Sequence, residues 1–256
     1  MNKMKTIKNA ALAIAMLAAA SCSTLYELSS VSRSRILIDS RYDKADEELE
    51  TFMSPYRQKV DSVMSPVVGL AARPLESHQP ESPLSNLLSD ILVWAGKDFG
   101  ETPDFAVYNV GGIRASLAKG EVTYGDILDV APFENRLCFL TLTGDKVEEL
   151  FSQMAGYGGQ GVSHGVEVVM DKDRKLVSVK LNGQSIDKSR KYRIATLDYL
   201  AEGNDKLLAF KSQTDIKFST GAENTVRAII VKYFKTLYEQ GKAVDSKTEG
   251  RFVKIK

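Results

Sequence analysis

The clearest chemical promise lies in Asn109-Val110-Gly111-Gly112-Ile113-Arg114. Asn109 offers both a donor and an acceptor, and Arg114 offers a planar fork of donors suited to phosphate. Gly111 and Gly112 let the backbone turn sharply and let a ligand come close to the main-chain amides. The apolar run Asp104-Phe105-Ala106-Val107-Tyr108 before them reads as a buried strand. The segment therefore has the form of an anion or nucleotide contact at a strand end. A tight β-turn carrying a surface arginine has the same local pattern.

Other reaction chemistries find few residues. Hydrolysis at a two-metal site needs several Asp, His and Asn ligands. This chain has only His78 and His164, far apart and in no ligand-like spacing. It carries no nucleophile elbow, no P-loop and no Cys-x-x-Cys pair. Its cysteines are Cys22 and Cys138. Cys138 sits in a strand candidate at residues 136–142 and reads as a buried, inert thiol with no base beside it. With 34 basic and 33 acidic residues, net charge +1, the chain lacks the basic excess that a nucleic-acid polymer requires.

Several further segments follow in order. They are Glu81-Ser82-Pro83-Leu84-Ser85-Asn86-Leu87-Leu88-Ser89-Asp90, Thr123-Tyr124-Gly125-Asp126-Ile127-Leu128, Ala131-Pro132-Phe133-Glu134-Asn135, Leu142-Thr143-Gly144, and Thr196-Leu197-Asp198-Tyr199-Leu200-Ala201-Glu202-Gly203-Asn204-Asp205. With the glycine turn, they resemble the C-terminal, substrate-recognising domain of the 5′-nucleotidase / UDP-sugar hydrolase family. Members read roughly E-T-N-L-G-N-L-x-x-D, N-G-G-G-I-R, P-F-G-N, L-T-G and N-F-L-A-x-G-G-D at these places. The resemblance covers about residues 45–240, with every motif in the family's order.

The resemblance implies a substrate-holding domain whose ligand is a nucleotide or nucleoside. Asn109 and Arg114 would contact the substrate. Phe133 and Tyr199 would clamp the base between two rings, since every base has a π face to stack on. Asn135 would hydrogen-bond the base edge, and Asp205 would accept from ribose hydroxyls. Either ring taken alone reads more readily as core packing; as a pair inside family motifs they read as a clamp. Full-length members hydrolyse phosphoesters with two metal ions held in a separate N-terminal domain. The metal motifs of that domain (Asp-x-His, Asn-His-Glu, Gly-His-x-His) are missing here. The expectation is no catalytic residue and no metal or other cofactor in this chain. Divalent metals would sit in a separate metallophosphatase partner.

Departures from the family pattern bear on phosphate. Members often carry arginine just before, or three residues before, the first motif; here those positions are Pro80 and His78. Arg73 or His78 is a candidate substitute. Tyr199 stands where phenylalanine is usual and keeps the ring face. Asn204 and Ser85 replace glycines, and asparagine tolerates left-handed backbone.

The N-terminus reads as a targeting segment. A basic stretch ending at Lys8 precedes a short apolar core at residues 10–20, too short to span a bilayer. Ala19-Ala20-Ser21-Cys22 resembles a bacterial lipoprotein cleavage box, with Ala19 where leucine is usual. The expectation is a signal peptide at 1–21, a lipidated Cys22, a tether at 22–44 and one domain at 45–256. The chain would then be exported and lipid-anchored to a bacterial membrane, periplasmic or at the cell surface. An ordinary signal peptide cut nearby is the alternative.

The elements that must position these residues follow from periodicity. Apolar spacing predicts an amphipathic helix through about residue 64, in which Pro55 either makes a kink or starts a second helix capped by Ser54. Ser82-Pro83 opens the next helix, ending near Gly96. Thr123 caps a short helix over 124–128, and Thr143 caps one ended by Gly156. Residues 157–163 read as a glycine-rich loop and 226–237 as a last helix stopped by Gly241. Strands are expected at 35–39, 104–109, 136–142, 165–170, 176–180, 192–197 and 251–256, with a tight turn at Asn182-Gly183. The class is α+β, a mixed sheet packed with helices.

Overall fold

The computed structural model describes residues 28–42 and 46–255. The expected signal peptide and lipidated Cys22, with the tether residues up to 27 and at 43–45, lie outside the described residues. A compact unit runs from Met53 to the C-terminus.

Its centre is a five-stranded sheet of order β10-β4-β9-β2-β5. The strands are β2 (Phe105–Tyr108), β4 (Leu137–Thr143), β5 (Gly161–Val162), β9 (Lys191–Leu197) and β10 (Thr214–Phe218). β4 and β9 pair antiparallel from Leu137↔Leu197 to Thr143↔Lys191. β2 runs parallel to β9, with Phe105 opposite Ile194. The near-continuous apolar runs of β2 and β4 are buried because helices cover this sheet. β5 is a short strand inside the expected 157–163 loop: Val162 pairs with Val107. Its neighbours on that edge are small and glycine-rich, so no alternation betrays it.

α2 (Pro83–Ala95) packs on β2 and β5, and α4 (Gly144–Tyr157) on β4 and β9. The Phe105 and Phe151 rings, 5.4 Å apart, join β2 to α4. Ser82 caps α2, its hydroxyl accepting from the Ser85 amide. α4 ends at Gly158 in the left-handed region (φ 108°), not at Gly156. α3 (Tyr124–Val130) has the expected Thr123 cap, with Asp126 answering it. α6 (Val226–Glu239) packs on β1 (Val67–Ala71) and α2. β1 pairs with β3 (Gly120–Thr123) in a two-stranded sheet that the sequence pattern did not announce.

The remaining sheet has order β11-β6-β7-β8. Its strands are β6 (Val166–Met170), β7 (Leu176–Leu181), β8 (Gln184–Ser185) and β11 (Phe252–Lys254). Asn182 (φ 51°) and Gly183 (φ 76°) form the predicted tight turn. β11 runs parallel to β6 and is locked there by the first motif. Glu81 accepts from Asn86 Nδ2 at 2.7 Å and from the Glu249 and Gly250 amides at 2.7 and 3.0 Å. Asp90 takes both Arg251 Nη groups at 2.8 Å. These motif residues staple the C-terminal segment to α2.

α1 (Glu47–Met64) is one helix running through Pro55. Asp46 Oδ1 accepts from the Glu48 and Leu49 amides, so the helix start lies there and Ser54 is interior. None of its residues is buried. Residues 35–39 lie outside any strand, 35–38 exposed and Asp39 half-buried.

Candidate functional site

Three adjacent strands bring the predicted residues together. β2 runs into Asn109, and β9 runs into a short helix, α5 (Asp198–Ala201), carrying Tyr199. β4 starts just after Phe133 and Asn135. Since β9 is parallel to β2 and antiparallel to β4, these ends share one edge of the sheet. Thr196 Oγ1 donates to the Val107 carbonyl at 2.9 Å and fixes the two parallel strands beside the site.

At that edge lies a cavity of about 270 Å³ lined by Asn109, Gly111, Gly112, Phe133, Asn135, Tyr157, Tyr199 and Asp205. Phe133 is 50% exposed and Tyr199 38% exposed at its mouth. Large rings left in solvent beside a packed core cost hydrophobic energy that a flat ligand would recover.

Asn109 is buried, and its Oδ1 has no hydrogen-bond partner in the protein. A buried acceptor left unmade costs roughly 1–3 kcal/mol, which a ligand donor would relieve. Gly112 makes room for this amide: a Cβ there would stand 2.6 Å from Asn109 Oδ1.

Asp205 is held from two sides. Tyr199 Oη donates to Oδ1 at 2.9 Å, and Gln160 Nε2 donates to Oδ2 at 3.2 Å. A carboxylate offers about four acceptor positions, so it keeps capacity for two hydroxyls. Asp205 and Lys206 both have positive φ, 54° and 62°. Asn204 Nδ2 donates to the Tyr199 carbonyl at 2.8 Å and closes this strained turn. The bond to Asp205 pushes the Tyr199 phenol above its ordinary range. Burial, then the Asp205 charge, does the same to Tyr157. Both phenols therefore stay protonated donors at neutral pH.

Arg114 does not line the cavity. It is exposed, and its Nη1 donates to the carbonyl of the lining residue Gly111 at 3.3 Å. Arg73 is committed elsewhere, to both carboxylate oxygens of Asp245 at 2.5 and 2.9 Å. His78 is exposed. His164 bonds Glu249 at 3.0 Å. Among the described residues no group of three His, Cys, Asp or Glu side chains could hold a metal ion.

Sequence reasoning missed Tyr157 and Gln160. Tyr157 closes α4, and its only local signal is an aromatic placed before Gly158-Gly159. Gln160 is buried and bridges the site: its Oε1 accepts from the Val110 amide at 2.8 Å while its Nε2 reaches Asp205.

The family model described as 5′-nucleotidase, C-terminal domain, matches residues 64–212, more than half of the chain. The chain belongs to this family. UshA of Escherichia coli is 28% identical over 163 residues, covering 62% of this chain and 30% of that protein. A 5′-nucleotidase of Vibrio vulnificus is 28% identical over 175 residues, covering 67% and 31%. The crystal structure of a 5′-nucleotidase precursor from Thermus thermophilus superposes with a TM-score of 0.67 at 26% identity, covering 80% of this chain and 43% of that one. The match thus spans about a third of the length of these curated relatives. The α+β architecture is that of 5′-nucleotidase C-terminal domains.

Proposed function

We propose that this chain is the nucleotide- or nucleoside-recognising half of a split 5′-nucleotidase-type hydrolase, with the metals supplied by a separate metallophosphatase chain. One observation carries the reading. Phe133 and Tyr199 stand half-exposed over a cavity whose floor holds an unpartnered Asn109 oxygen and the Asp205 carboxylate. In this reading the rings stack the base, Asn109 and Asn135 read its edge, and Asp205 takes the ribose hydroxyls. The cavity volume of about 270 Å³ lies just below the roughly 300–1,000 Å³ typical of drug-sized ligand sites, in keeping with a nucleoside-sized group. Arg114, anchored to the lining carbonyl of Gly111, is the cation nearest in sequence for phosphate. The N-terminal pattern supports export and anchoring through a lipidated Cys22.

The second reading is a stand-alone nucleoside- or nucleotide-binding lipoprotein for scavenging. What supports it is that the lining residues all come from this chain, so a ligand could be held there with no partner. Hydrolysis of AMP and UDP-glucose with added divalent metal tests both. It is measured with this chain alone and with a co-expressed metallophosphatase. Activity only in the mixture, lost on Arg114→Ala, is the outcome the split enzyme requires. No activity in either, with tight adenosine binding by the chain alone, selects the second reading.

A further inference from the structure

We propose that Arg227, outside the ligand cavity, is the positioning residue of the aromatic clamp. The inference rests on the reading that Phe133 stacks a base. Phe133 and Asn135 sit on a loop entering β4, and α6 grips that loop on both sides of the ring. Arg227 Nη1 donates to the carbonyls of Ala131 and Pro132 at 3.3 and 3.0 Å, and Nη2 pairs with the Glu134 carboxylate. The Arg227 side chain is nine-tenths buried, whereas that of Glu134 is mostly exposed. One planar fork therefore ties residues 131, 132 and 134, bracketing Phe133.

Ala131 is buried, whereas Pro132, Phe133 and Glu134 are exposed. On the α6 side lies a cavity of about 700 Å³, lined among others by Glu134, Thr225, Arg227 and Val231. The exposed stretch 132–134 is held little by packing, so its position depends on these polar ties. Where the rings stand decides whether a base fits between them. Arg227 thus acts on the ligand through Phe133 and Asn135 without touching it.

Separate backbone ties leave the fold intact when the side chain is changed. The Val226 amide donates to the Asn135 carbonyl at 2.9 Å, and Thr225 bridges Arg136. Thr225 Oγ1 also caps α6, accepting from the Ala228 amide at 3.3 Å.

The test is a double-mutant cycle of Arg227→Gln and Phe133→Ala. Adenosine affinity is measured by calorimetry, and hydrogen exchange over residues 131–135 is followed in the ligand-free protein. Arg227→Gln should weaken adenosine binding about tenfold in the native background and less than about twofold in the Phe133→Ala background. It should also speed exchange over 131–135. Arg227→Lys keeps the charge but cannot fork, and should lie between. Equal losses in both backgrounds would overturn the inference, as would unchanged exchange in Arg227→Gln. The two arms separate the failures. No adenosine binding by the unmutated chain, with exchange still accelerated by Arg227→Gln, sinks the base-stacking reading alone.

Discussion

The Tyr199 hydroxyl donates to Asp205 Oδ1 at 2.9 Å. The ring proposed to stack a base and the carboxylate proposed to take the sugar are thus joined before any ligand arrives. Tyrosine in place of the family's usual phenylalanine does more than preserve a face. It fixes where the ring's outer end stands and takes up one acceptor position of Asp205.

This relationship predicts a graded series at residue 199. Tyr199→Phe keeps the ring and loses the tie, so adenosine affinity should fall by no more than about 0.5–1.5 kcal/mol, the net worth of one hydrogen bond. Tyr199→Ala removes the stacking face and should cost about 1–3 kcal/mol. Calorimetry with adenosine checks both. Equal losses in the two variants would mean that the hydroxyl alone mattered and that no stacking occurs.

Gly112 gives a second prediction. Its missing side chain leaves room for the buried Asn109 amide, since an added Cβ would meet Oδ1 at 2.6 Å and Nδ2 at 2.8 Å. Gly112→Ala must push Asn109 out of place. Nucleoside affinity should drop roughly tenfold or more, the equivalent of one lost bond to a buried acceptor. Gly100→Ala is the control, because nothing lies within 4 Å of its added Cβ, although its φ of 67° strains any side chain there. A loss of melting temperature shared by both variants, with affinity lost only in Gly112→Ala, is the expected pattern.

The cavity's rim was legible because its residue types sit in compact local patterns. Asn109, Phe133, Asn135, Tyr199 and Asp205 each belong to a short motif next to a strand end, and parallel or antiparallel pairing carries those ends to one edge. Tyr157, Gln160 and Arg227 were not legible, because each acts across a long stretch of chain. Arg227 reads only as a polar position on an amphipathic helix, yet it serves carbonyls more than ninety residues away. The strands that escaped notice have equally plain reasons. β10 is exposed at every position, and its apolar signal is only Ile216 and Phe218. β1 is interrupted by Gly69, where an added Cβ would stand 2.9 Å from the Phe234 ring of α6. Ile36, Leu37 and Ile38 have the apolar composition of a strand but lie exposed outside any sheet.

Cys138 supplies a test of the core. Its thiol is buried in β4, and burial, aided by the Asp198 charge against an opposing Arg193, pushes its pKa up to about 12. The thiolate is the reactive form, so at pH 8 almost none is present. In a Cys22→Ser chain, iodoacetamide should leave Cys138 unmodified in buffer and label it fully in denaturant. Labelling without denaturant, followed by mass spectrometry, would mean that β4 opens far more readily than its packing implies.

Arg251 is 4% exposed and takes its charge balance from Asp90 and Glu249. Breaking a fully buried pair costs about 3–5 kcal/mol, and here the stranded Asp90 and Glu249 side chains are 35% and 30% exposed, so water offsets part of that. Arg251→Met should therefore destabilise the fold by less than that figure, by urea denaturation. The hydrogen-bond partners of Arg251, namely Asp90, Glu249, Asn86 and Val162, line no part of the cavity, so adenosine affinity of the folded fraction should change far less than stability.

The acid limb of stability is set in part at Glu101. Its carboxylate bonds Arg193 Nε at 2.7 Å and lies 3.3 Å from Lys217 Nζ. The Arg193 bond is the largest influence; it and the two positive charges outweigh the opposing effect of burial, so the carboxyl falls below its ordinary value of 4.5. Between that value and the lowered one, the unfolded chain binds a proton that the folded chain does not. Stability therefore rises with pH through this window and is lost as pH falls through it. Arg193 also donates to Thr141 Oγ1 at 3.2 Å and to the Asp215 carbonyl at 2.5 Å, so the same guanidinium holds edge strand β10 onto β4. Glu101→Gln should lower stability at pH 7 and flatten the stability curve below about pH 4.5. Urea midpoints taken from pH 7 to pH 3 read both effects. Parallel curves for the variant and the native chain would mean that Glu101 titrates alike in the folded and unfolded states, and that the Arg193 bond carries no net free energy.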